Sequence, residues 1–210
     1  MFIIKHSLIL ILFLMLTTTI INASIDVRPA ATGELSSILE LDYRVTYEFF
    51  KPLFIDTYNK LGIKKNVDHD LEEELKSDAQ TFSNSIQANG LERLHVSWDT
   101  VQSIACGLLV FHKEENNGIM LDLLLVDKNY RNQGIGKKLV ISACKAFDDI
   151  KTVTVYPLQF NNENTLKFYK SLGFKNLGAG PSDKINSHGI RYSDMYYYFK
   201  LDIFDKKINN

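Results

Sequence analysis

An apolar run, Ile119–Val126, constrains the fold of this 210-residue sequence more than any other segment. A short apolar run bounded by turn residues predicts a strand that is buried on both faces of a sheet. The run is followed by the loop RNQGIG, residues 131–136, and then by a helical pattern that extends to about Phe147. A buried strand that leads through a glycine loop into a helix is typical of α/β domains.

The remaining periodicities place long helices before most of the strands. Helical spacing of apolar residues predicts one helix from Thr32 to about Tyr47 and another from Asp68 to Ala88, with an aromatic segment and a break at Pro52 between them. The sequence therefore predicts one α/β domain over residues 25–201, with a mixed, mostly antiparallel sheet, flanking helices and a polar tail at 202–210. The other predicted elements are strands Ile25–Arg28, Leu91–Trp98, Ser103–His112, Val153–Tyr156 and Met195–Leu201, and helices Gln133–Phe147 and Asn161–Leu172.

The composition excludes several classes of function. The net charge is -1, so nothing favours a nucleic-acid partner or a charged membrane surface. Cys106 and Cys144 each lie in an apolar stretch, which favours buried thiols over a disulfide or a nucleophile. The five histidines are scattered, and the sequence predicts no metal site.

Residues 1–23 form an apolar leader with Lys5 near its start and Ala23 at a plausible cleavage position. This pattern predicts a signal peptide and an exported, secreted or periplasmic protein, with membrane contact only through the leader. One alternative is an uncleaved anchor, because Ser7–Ile25 is uncharged and barely long enough to span a bilayer. The other is translation from Met15, which would leave a cytoplasmic protein.

The loop after the buried strand has the spacing of an anion site. It is not a P-loop, since Lys138 replaces the hydroxyl residue, and not a dinucleotide loop, since Leu139 replaces the third glycine. It matches R-x-x-G-x-G at Arg131, Gly134 and Gly136. Unpaired N–H groups at a helix start, close backbone approach at glycines and the helix dipole together suit a pyrophosphate. A glycine-rich turn with a solvated basic helix start explains the loop equally well.

Two blocks of the sequence resemble one known family. LDLLLVDKNYRNQGIGKKLV is similar to the acyl-CoA-binding core of the GNAT superfamily of N-acyltransferases. NENTLKFYKSLGF matches that family's second block at Asn162, Phe168-Tyr169 and Gly173-Phe174, with Thr165 in place of the usual alanine. The start IDVRPA also resembles the family's first strand, so the resemblance covers about Ile25 to Leu201.

The resemblance implies a splayed pair of strands that holds acetyl-CoA as a co-substrate. The pantetheine arm would lie along the end of the buried strand, and the pyrophosphate on the loop's backbone N–H groups. The cofactor-binding residues implied in this way are Leu124, Leu125, Val126, Arg131, Asn132, Gln133, Gly134, Ile135, Gly136, Lys137 and Asn162.

The implied reaction is transfer of an acetyl group from acetyl-CoA to a primary amine by direct attack in a ternary complex. Tyr169 would protonate the leaving thiolate, although a core aromatic is the alternative for this position. Asp122 is the first candidate for the general base, because an acid within a buried run needs a purpose or a partner. A structural ion pair at the splayed mouth explains Asp122 equally well, and Glu48 is a weaker candidate.

The acceptor would be a small-molecule amine or an amine of a protein or peptide, and the protein a monomer or a homodimer. Tyr43–Tyr58 and the last hairpin are the segments expected to hold the acceptor. The alternative function is a catalytically inactive, exported binding protein with the GNAT fold. The leader favours this alternative, since acetyl-CoA is scarce outside the cytosol, whereas the intact glycine loop argues against it.

Overall fold

A computed structural model describes residues 25–87, 92–159, 163–183, 191, 193 and 196–203 of the chain. Its centre is a 7-stranded sheet in which only the fourth and fifth strands are parallel. The predicted mixed, mostly antiparallel sheet is therefore confirmed. The strands, in the spatial order β1-β2-β3-β4-β5-β7-β6, are β1 Ile25–Pro29, β2 Glu92–Asp99, β3 Ile104–Glu114, β4 Gly118–Val126, β5 Thr152–Val155, β6 Lys175–Ala179 and β7 Tyr197–Asp202.

Helices cover both faces of the sheet and divide the core into two clusters. On one face, α1 (Leu35–Val45) and α3 (Val67–Gln87) pack on β2, β3 and β4. On the other face, α4 (Ile135–Cys144) and α5 (Glu163–Ser171) enclose the larger cluster. The central strands β3 and β4 contribute alternate side chains to the two clusters, as expected for strands buried on both sides.

The predicted break at Pro52 is wrong, because the chain remains helical through this region. α1 continues into a single π-helical segment, Thr46–Phe50, which leads directly into α2, Lys51–Leu61. Pro52 is the second residue of α2 and follows the π segment almost directly. Because proline has no N–H, it interrupts the hydrogen-bond ladder without ending the helix, and the wider π turn before it accommodates the change.

β4 and β5 pair over only part of their length. Their parallel register runs from Gly118 opposite Thr152 to Leu121 opposite Val155 and then stops. Beyond that point β4 continues beside β3 as far as Val126. The chain after β5 instead stays beside the segment before β7, where Tyr197 N–H donates to Pro157 O at 2.9 Å and Leu158 bridges Tyr196. The two strands therefore part, and among the described residues no strand pairs with the edge of β4 beyond Leu121, which is called the open edge below.

The leader and the end of the tail lie outside the described residues, so the predictions made for them are not tested here. β7 ends at Asp202, one residue beyond the predicted end of the domain. Among the helices of the described ranges, none is both long enough and apolar enough to cross a membrane.

One buried and one half-buried aspartate lie where α1 packs on α3. Asp42 of α1 is 1% exposed; Thr46 donates to its Oδ1 at 3.1 Å, and its Oδ2 has no hydrogen-bond partner among the described residues. Burial raises the pKa of Asp42 to about 6. The pKa of Asp78 on α3 rises to about 7, through burial and then through the nearby charge of Asp42. The pair therefore retains protons at a pH at which ordinary carboxyls have lost them.

These aspartates predict that stability falls as pH rises. The folded state binds more protons than the unfolded state between the ordinary pKa of an aspartate and the raised value, so stability present at pH 4 is lost by pH 8. Asp42→Asn should remove the part of this loss that belongs to Asp42, which amounts to about 3 kcal/mol for a shift from 3.8 to about 6. Urea unfolding at several pH values measures it. Glu40→Gln, an exposed change on the same helix, is the control, and an equal effect of Asp42→Asn at pH 5 and 8 would contradict the prediction.

Candidate active site

The open edge of β4 presents backbone groups in a fixed alternation. Asp127 N–H donates to Cys106 O of β3 at 3.0 Å, which sets the phase of the ladder. In an antiparallel pair the backbone groups of alternate residues point away from the partner, so those of Val126 and Leu124 face the open side. A polar chain laid into the gap can therefore bond β4 as an added strand would.

Leu125, which was predicted to bind the cofactor together with its two neighbours, is oriented differently. Its backbone faces β3, opposite Leu108, and its side chain is buried in the cluster under α1 and α3. The alternation thus brings two of the three predicted β4 residues to the gap. Leu125 contributes only packing.

The loop after β4 is shaped by a cap and by two left-handed residues. Asp127 is 4% exposed, and its carboxylate accepts from Asn129 N–H at 2.8 Å, which starts a 3₁₀ turn over Lys128–Tyr130. Asn132 and Gly134 then have φ of 62° and 75°. Left-handed residues within a loop turn successive N–H groups toward one side, which creates a concave site for an anion.

Helix α4 begins directly after this loop. Gly134 is its N-cap residue, and the first bond within the helix runs from Lys138 N–H to Gly134 O at 3.0 Å. The N–H groups of Ile135, Gly136 and Lys137 precede that bond and have no acceptor within the helix. With the helix dipole and the exposed Lys137 and Lys138 side chains, they form the electropositive end predicted for a pyrophosphate.

The two glycines of the loop serve different purposes. A Cβ atom built on Gly134 meets nothing within 4 Å, so this residue is required for its φ and leaves space above the loop. A Cβ atom on Gly136 would lie 3.0 Å from Cζ of Phe168 on α5. The missing side chain of Gly136 therefore allows α5 to approach α4. It would equally allow an anion to approach the backbone. This packing joins the two blocks that carry the family resemblance.

Buried carboxylates hold the ends of the loop in place. Asp127 also accepts from Arg44 Nε of α1 at 2.8 Å, and Tyr130 donates its hydroxyl to Asp99 at 2.8 Å. Asp99, at the end of β2, additionally accepts from Val101 N–H and Gln102 N–H. The loop is therefore fixed to α1 and β2 before any ligand arrives.

A small pocket lies between α1 and the start of this loop. Arg131 turns back toward β4, where its Nε donates to Val126 O at 3.0 Å on the open side of the strand. Glu48, in the π segment, forms an ion pair with Lys128 at 2.6 Å. The pocket is lined by Arg44, Val45, Glu48, Asp127, Lys128 and Arg131.

Tyr169 lies in the core beneath α5. It is 4% exposed, and its ring contacts Phe168, Phe174 and Phe199 at centroid distances of 5.0, 5.3 and 6.1 Å. Burial raises its pKa, so the phenol keeps its proton at neutral pH, as a proton donor must. Tyr169 therefore packs as a core aromatic residue. Its protonated phenol is also compatible with the role of a proton donor to the leaving thiolate.

The expectation that Asp122 is buried is wrong. Its side chain is 36% exposed, and its Oδ2 lies 2.7 Å from His112 Nδ1 on β3. The register of β3 and β4 shifts between Val110 and Phe111, so Asp122 is the extra residue of a β-bulge and turns out of the apolar alternation. It directly follows Leu121, the last residue of β4 that pairs with β5. Asp122 therefore stands at the mouth of the gap, as a paired acid on the surface.

Asn162, Cys144 and a possible metal site remain to be located among the features considered in the sequence. Asn162 lies outside the described residues. Cys144 is packed at the end of α4, and burial raises its pKa to about 11, which disfavours a nucleophilic thiolate. Among the described ranges, no group of three or more His, Cys, Asp or Glu residues is placed to hold a metal ion.

Sequence reasoning missed the residues that support the site. Arg44 and Asp127 are 83 positions apart, and Tyr130 and Asp99 are 31 apart, so no local spacing connects them. Of these four residues, only Asp127 could have been recognised from the sequence, because an Asp directly after a strand and before a turn is a frequent cap. His112 could have been noticed as a titratable residue on a strand next to the buried run, but its partner depends on the bulge.

The contact between Gly136 and Phe168 gives a testable coupling. Gly136→Ala should destabilise the protein because the Phe168 ring must move, whereas in a Phe168→Leu background alanine should be neutral or stabilising through helix propensity. A double-mutant cycle by urea unfolding should give a coupling energy of roughly 1–3 kcal/mol. Gly134→Ala is the control, since it has a positive φ and no contact and should be uncoupled from Phe168. Strict additivity for Gly136 and Phe168 would contradict the packing role.

Comparison with known proteins gives matches at both the sequence and the structural level. A model of the acetyltransferase (GNAT) domain matches residues 91–176, and no curated protein sequence matches the chain. PaiA N-acetyltransferase from Thermoplasma acidophilum, in complex with coenzyme A, is similar with a TM-score of 0.57 at 18% identity, over 85% of this chain and 99% of that one. The ribosomal-protein-S18-alanine N-acetyltransferase from Escherichia coli has a TM-score of 0.55 at 13% identity, over 85% and 94% of the two chains.

A third similar structure is Arabidopsis thaliana NAA60 in complex with a bisubstrate analogue. Its TM-score is 0.54 at 14% identity, and the match covers 85% of this chain and 97% of that one. The match to the domain model spans β2 to β6 and contains both the glycine loop and α5. Residues 91–176 thus match the GNAT acetyltransferase domain, the described chain has the GNAT fold, and the predicted resemblance to the GNAT superfamily is confirmed.

Proposed function

We propose that this protein is an N-acetyltransferase that transfers an acetyl group from acetyl-CoA to a primary amine by direct attack in a ternary complex. The observation that carries the proposal is the open edge of β4, which leads through the glycine loop into an electropositive helix start. An extended amide-bearing arm that ends in a pyrophosphate matches this arrangement of donors. The match to the acetyltransferase (GNAT) domain and the coenzyme A complex of the similar PaiA structure support the same ligand.

The proposed cofactor path follows the geometry of the described residues. The pyrophosphate accepts from the N–H groups of the 133–137 segment, near Lys137, and the pantetheine amides pair with Val126 and Leu124. The thioester carbonyl then accepts from an N–H group on the open edge, which stabilises the developing oxyanion. Arg131 holds the Val126 carbonyl at the point where the loop and the open edge meet.

The proposed chemistry needs a neutral amine and a protonated leaving group. The acceptor ammonium loses one proton to a base at the mouth of the gap, for which Asp122 is the candidate by position. The amine nitrogen then forms a C–N bond as the C–S bond breaks. The departing thiolate takes a proton from Tyr169, and the second proton of the nitrogen restores the phenol, so one proton is released overall.

The acceptor side of the site is polar and aromatic. The π segment adjoins the cofactor loop through the ion pair of Glu48 with Lys128, and Tyr43 and Tyr47 stack with a centroid distance of 4.6 Å near it. These contacts support a proposed acceptor site between this helical region and the mouth of the gap. A small-molecule amine and the amine of a peptide both suit it, with the protein as a monomer or a homodimer.

The alternative is a binding protein that has the GNAT fold but has lost catalysis. A degenerate member would have no reason to keep the left-handed Asn132 and Gly134 together with an unblocked helix start. The retained loop geometry therefore favours the enzyme. Transfer itself distinguishes the two, because both can bind coenzyme A.

The proposed function predicts that the purified protein binds acetyl-CoA and acetylates an amine. Calorimetric titration with acetyl-CoA should show binding that Gly134→Val weakens at least about 10-fold, because a β-branched residue at φ 75° displaces the N–H groups of the loop. Gly62→Val is the matched control, since Gly62 has φ 68° and equally open surroundings at the end of α2. It should bind acetyl-CoA as the wild-type protein does.

Amine acceptors are then screened by measuring the free thiol that acetyl-CoA releases. The acceptors are spermidine, tyramine and short peptides with a free α-amine or a single lysine. Turnover of any of them supports the transferase. Binding without turnover across the screen would support the inactive binding protein instead. A well-folded protein that binds no acetyl-CoA would contradict both functions.

We also propose that residues 1–23 direct export of the protein. Expression of the full chain in a secreting bacterial host should then yield a mature protein whose first residue follows Ala23, as determined by N-terminal sequencing. A protein that retains Met1 in the membrane fraction would support the anchor. A soluble protein that begins at Met15 would support internal initiation.

A further inference from the structure

An imidazole and a carboxylate form a close pair at the mouth of the gap. His112 Nδ1 of β3 lies 2.7 Å from Asp122 Oδ2 of β4, and both side chains are partly exposed. β3 flanks β4 on the side opposite the gap, so Asp122 stands between His112 and the site proposed for the thioester. Asp122 is therefore the nearer of the two side chains to a ligand in the gap.

The pair faces a part of the sheet that also carries aromatic side chains. Phe111 and Leu121 point into the cluster under α4 and α5, so His112 and the bulged Asp122 point to the opposite face. Tyr156, directly after β5, and Tyr198 of β7 also alternate away from that cluster and stack with a centroid distance of 5.3 Å. The amine acceptor would meet the pair on this face.

A carboxylate alone is a poor base for this reaction. An aspartate with an ordinary pKa of about 3.9 is far weaker than an ammonium group with a pKa between 8 and 10.4 requires. An imidazole, at about 6.5, is closer to the operating pH, where general bases are most effective. A carboxylate that passes its proton to an imidazole combines reach with basicity.

We propose that His112 is the proton store of the acceptor site: Asp122 takes a proton from the acceptor ammonium on Oδ1, and His112 takes that proton up at Nε2 through solvent water, while its Nδ1–H stays bonded to Asp122 Oδ2. The proposal rests on the proposed acetyltransferase function. The ammonium becomes a neutral amine, Asp122 is again a carboxylate, and His112 becomes an imidazolium that releases its proton to solvent from Nε2. Asp122 is the catalytic residue of the pair, and His112 is the positioning residue that sets its basicity.

The charges around His112 favour the imidazolium that this step produces. The hydrogen bond to Asp122 raises the pKa of His112 above its usual value, and partial burial opposes this. Glu114 of β3 and Glu92 of β2 add attraction of the same sign as that of Asp122. These fixed carboxylates thus stabilise the imidazolium form of His112.

The test measures kcat and KM of the full-length protein between pH 5.5 and 9, with acetyl-CoA and the amine from the screen that gives the highest turnover. In the wild type, kcat should rise with pH through a midpoint above 6.5, since the neutral imidazole is the active form. His112→Asn keeps a donor near Nδ1 but cannot accept a proton. It should lower kcat about 10- to 100-fold, shift the midpoint to lower pH and leave the Kd of acetyl-CoA unchanged.

Lys113→Gln is the matched control. Lys113 is the next residue of β3, and its ion pair with Asp149 at 2.8 Å lies on the other face of the sheet. It should behave as the wild type does. An NMR titration of His112 should also show a pKa above 6.5 that falls in Asp122→Asn.

The outcomes separate the two proposals. No turnover of any amine by a wild-type protein that binds acetyl-CoA would overturn the proposed function. Turnover with a wild-type pH profile in His112→Asn would overturn the role of His112 alone. A His112 pKa that is unchanged in Asp122→Asn would also overturn it.

Discussion

The site depends on the point at which β4 and β5 stop pairing. Each strand has a second neighbour, and beyond Leu121 and Val155 each follows that neighbour: β4 stays with β3, and the chain after β5 stays with the segment before β7. Backbone groups left unpaired at such a parting are costly unless water or a ligand satisfies them. The gap is therefore a set of donors and acceptors held open by hydrogen bonds on both of its sides.

The loop after β4 owes its shape to carboxylates that come from elsewhere in the fold. Asp127 accepts from its own loop and from α1, while Asp99 joins β2 to Tyr130. A buried carboxylate with several donors is strongly held, and the loop inherits this rigidity. Pre-organisation of this kind reduces the ordering cost of binding a flexible, anionic ligand.

The sequence alone predicted the parts of the fold that local patterns determine. The run Ile119–Val126, the glycine spacing after it and the helical stretches all matched the structure, because each depends on neighbouring residues. The position of Asp122 was mistaken because a bulge shifts the alternation within the apolar run, and a bulge leaves no clear mark in composition. The break at Pro52 was mistaken because a proline can remain in a continuing helix where the turn before it widens, as the π segment does here. The support of the loop by Arg44 was beyond prediction, since it joins elements distant in sequence.

The π segment between α1 and α2 has a consequence for how such a protein can diversify. A π turn holds about one residue more than an α turn, so removing one residue from Thr46–Phe50 would return the segment to α-helical bonding. Arg44 precedes the segment and would keep its bond to Asp127. A change in length of one residue can therefore be absorbed at this point of the chain without disturbing the loop after β4.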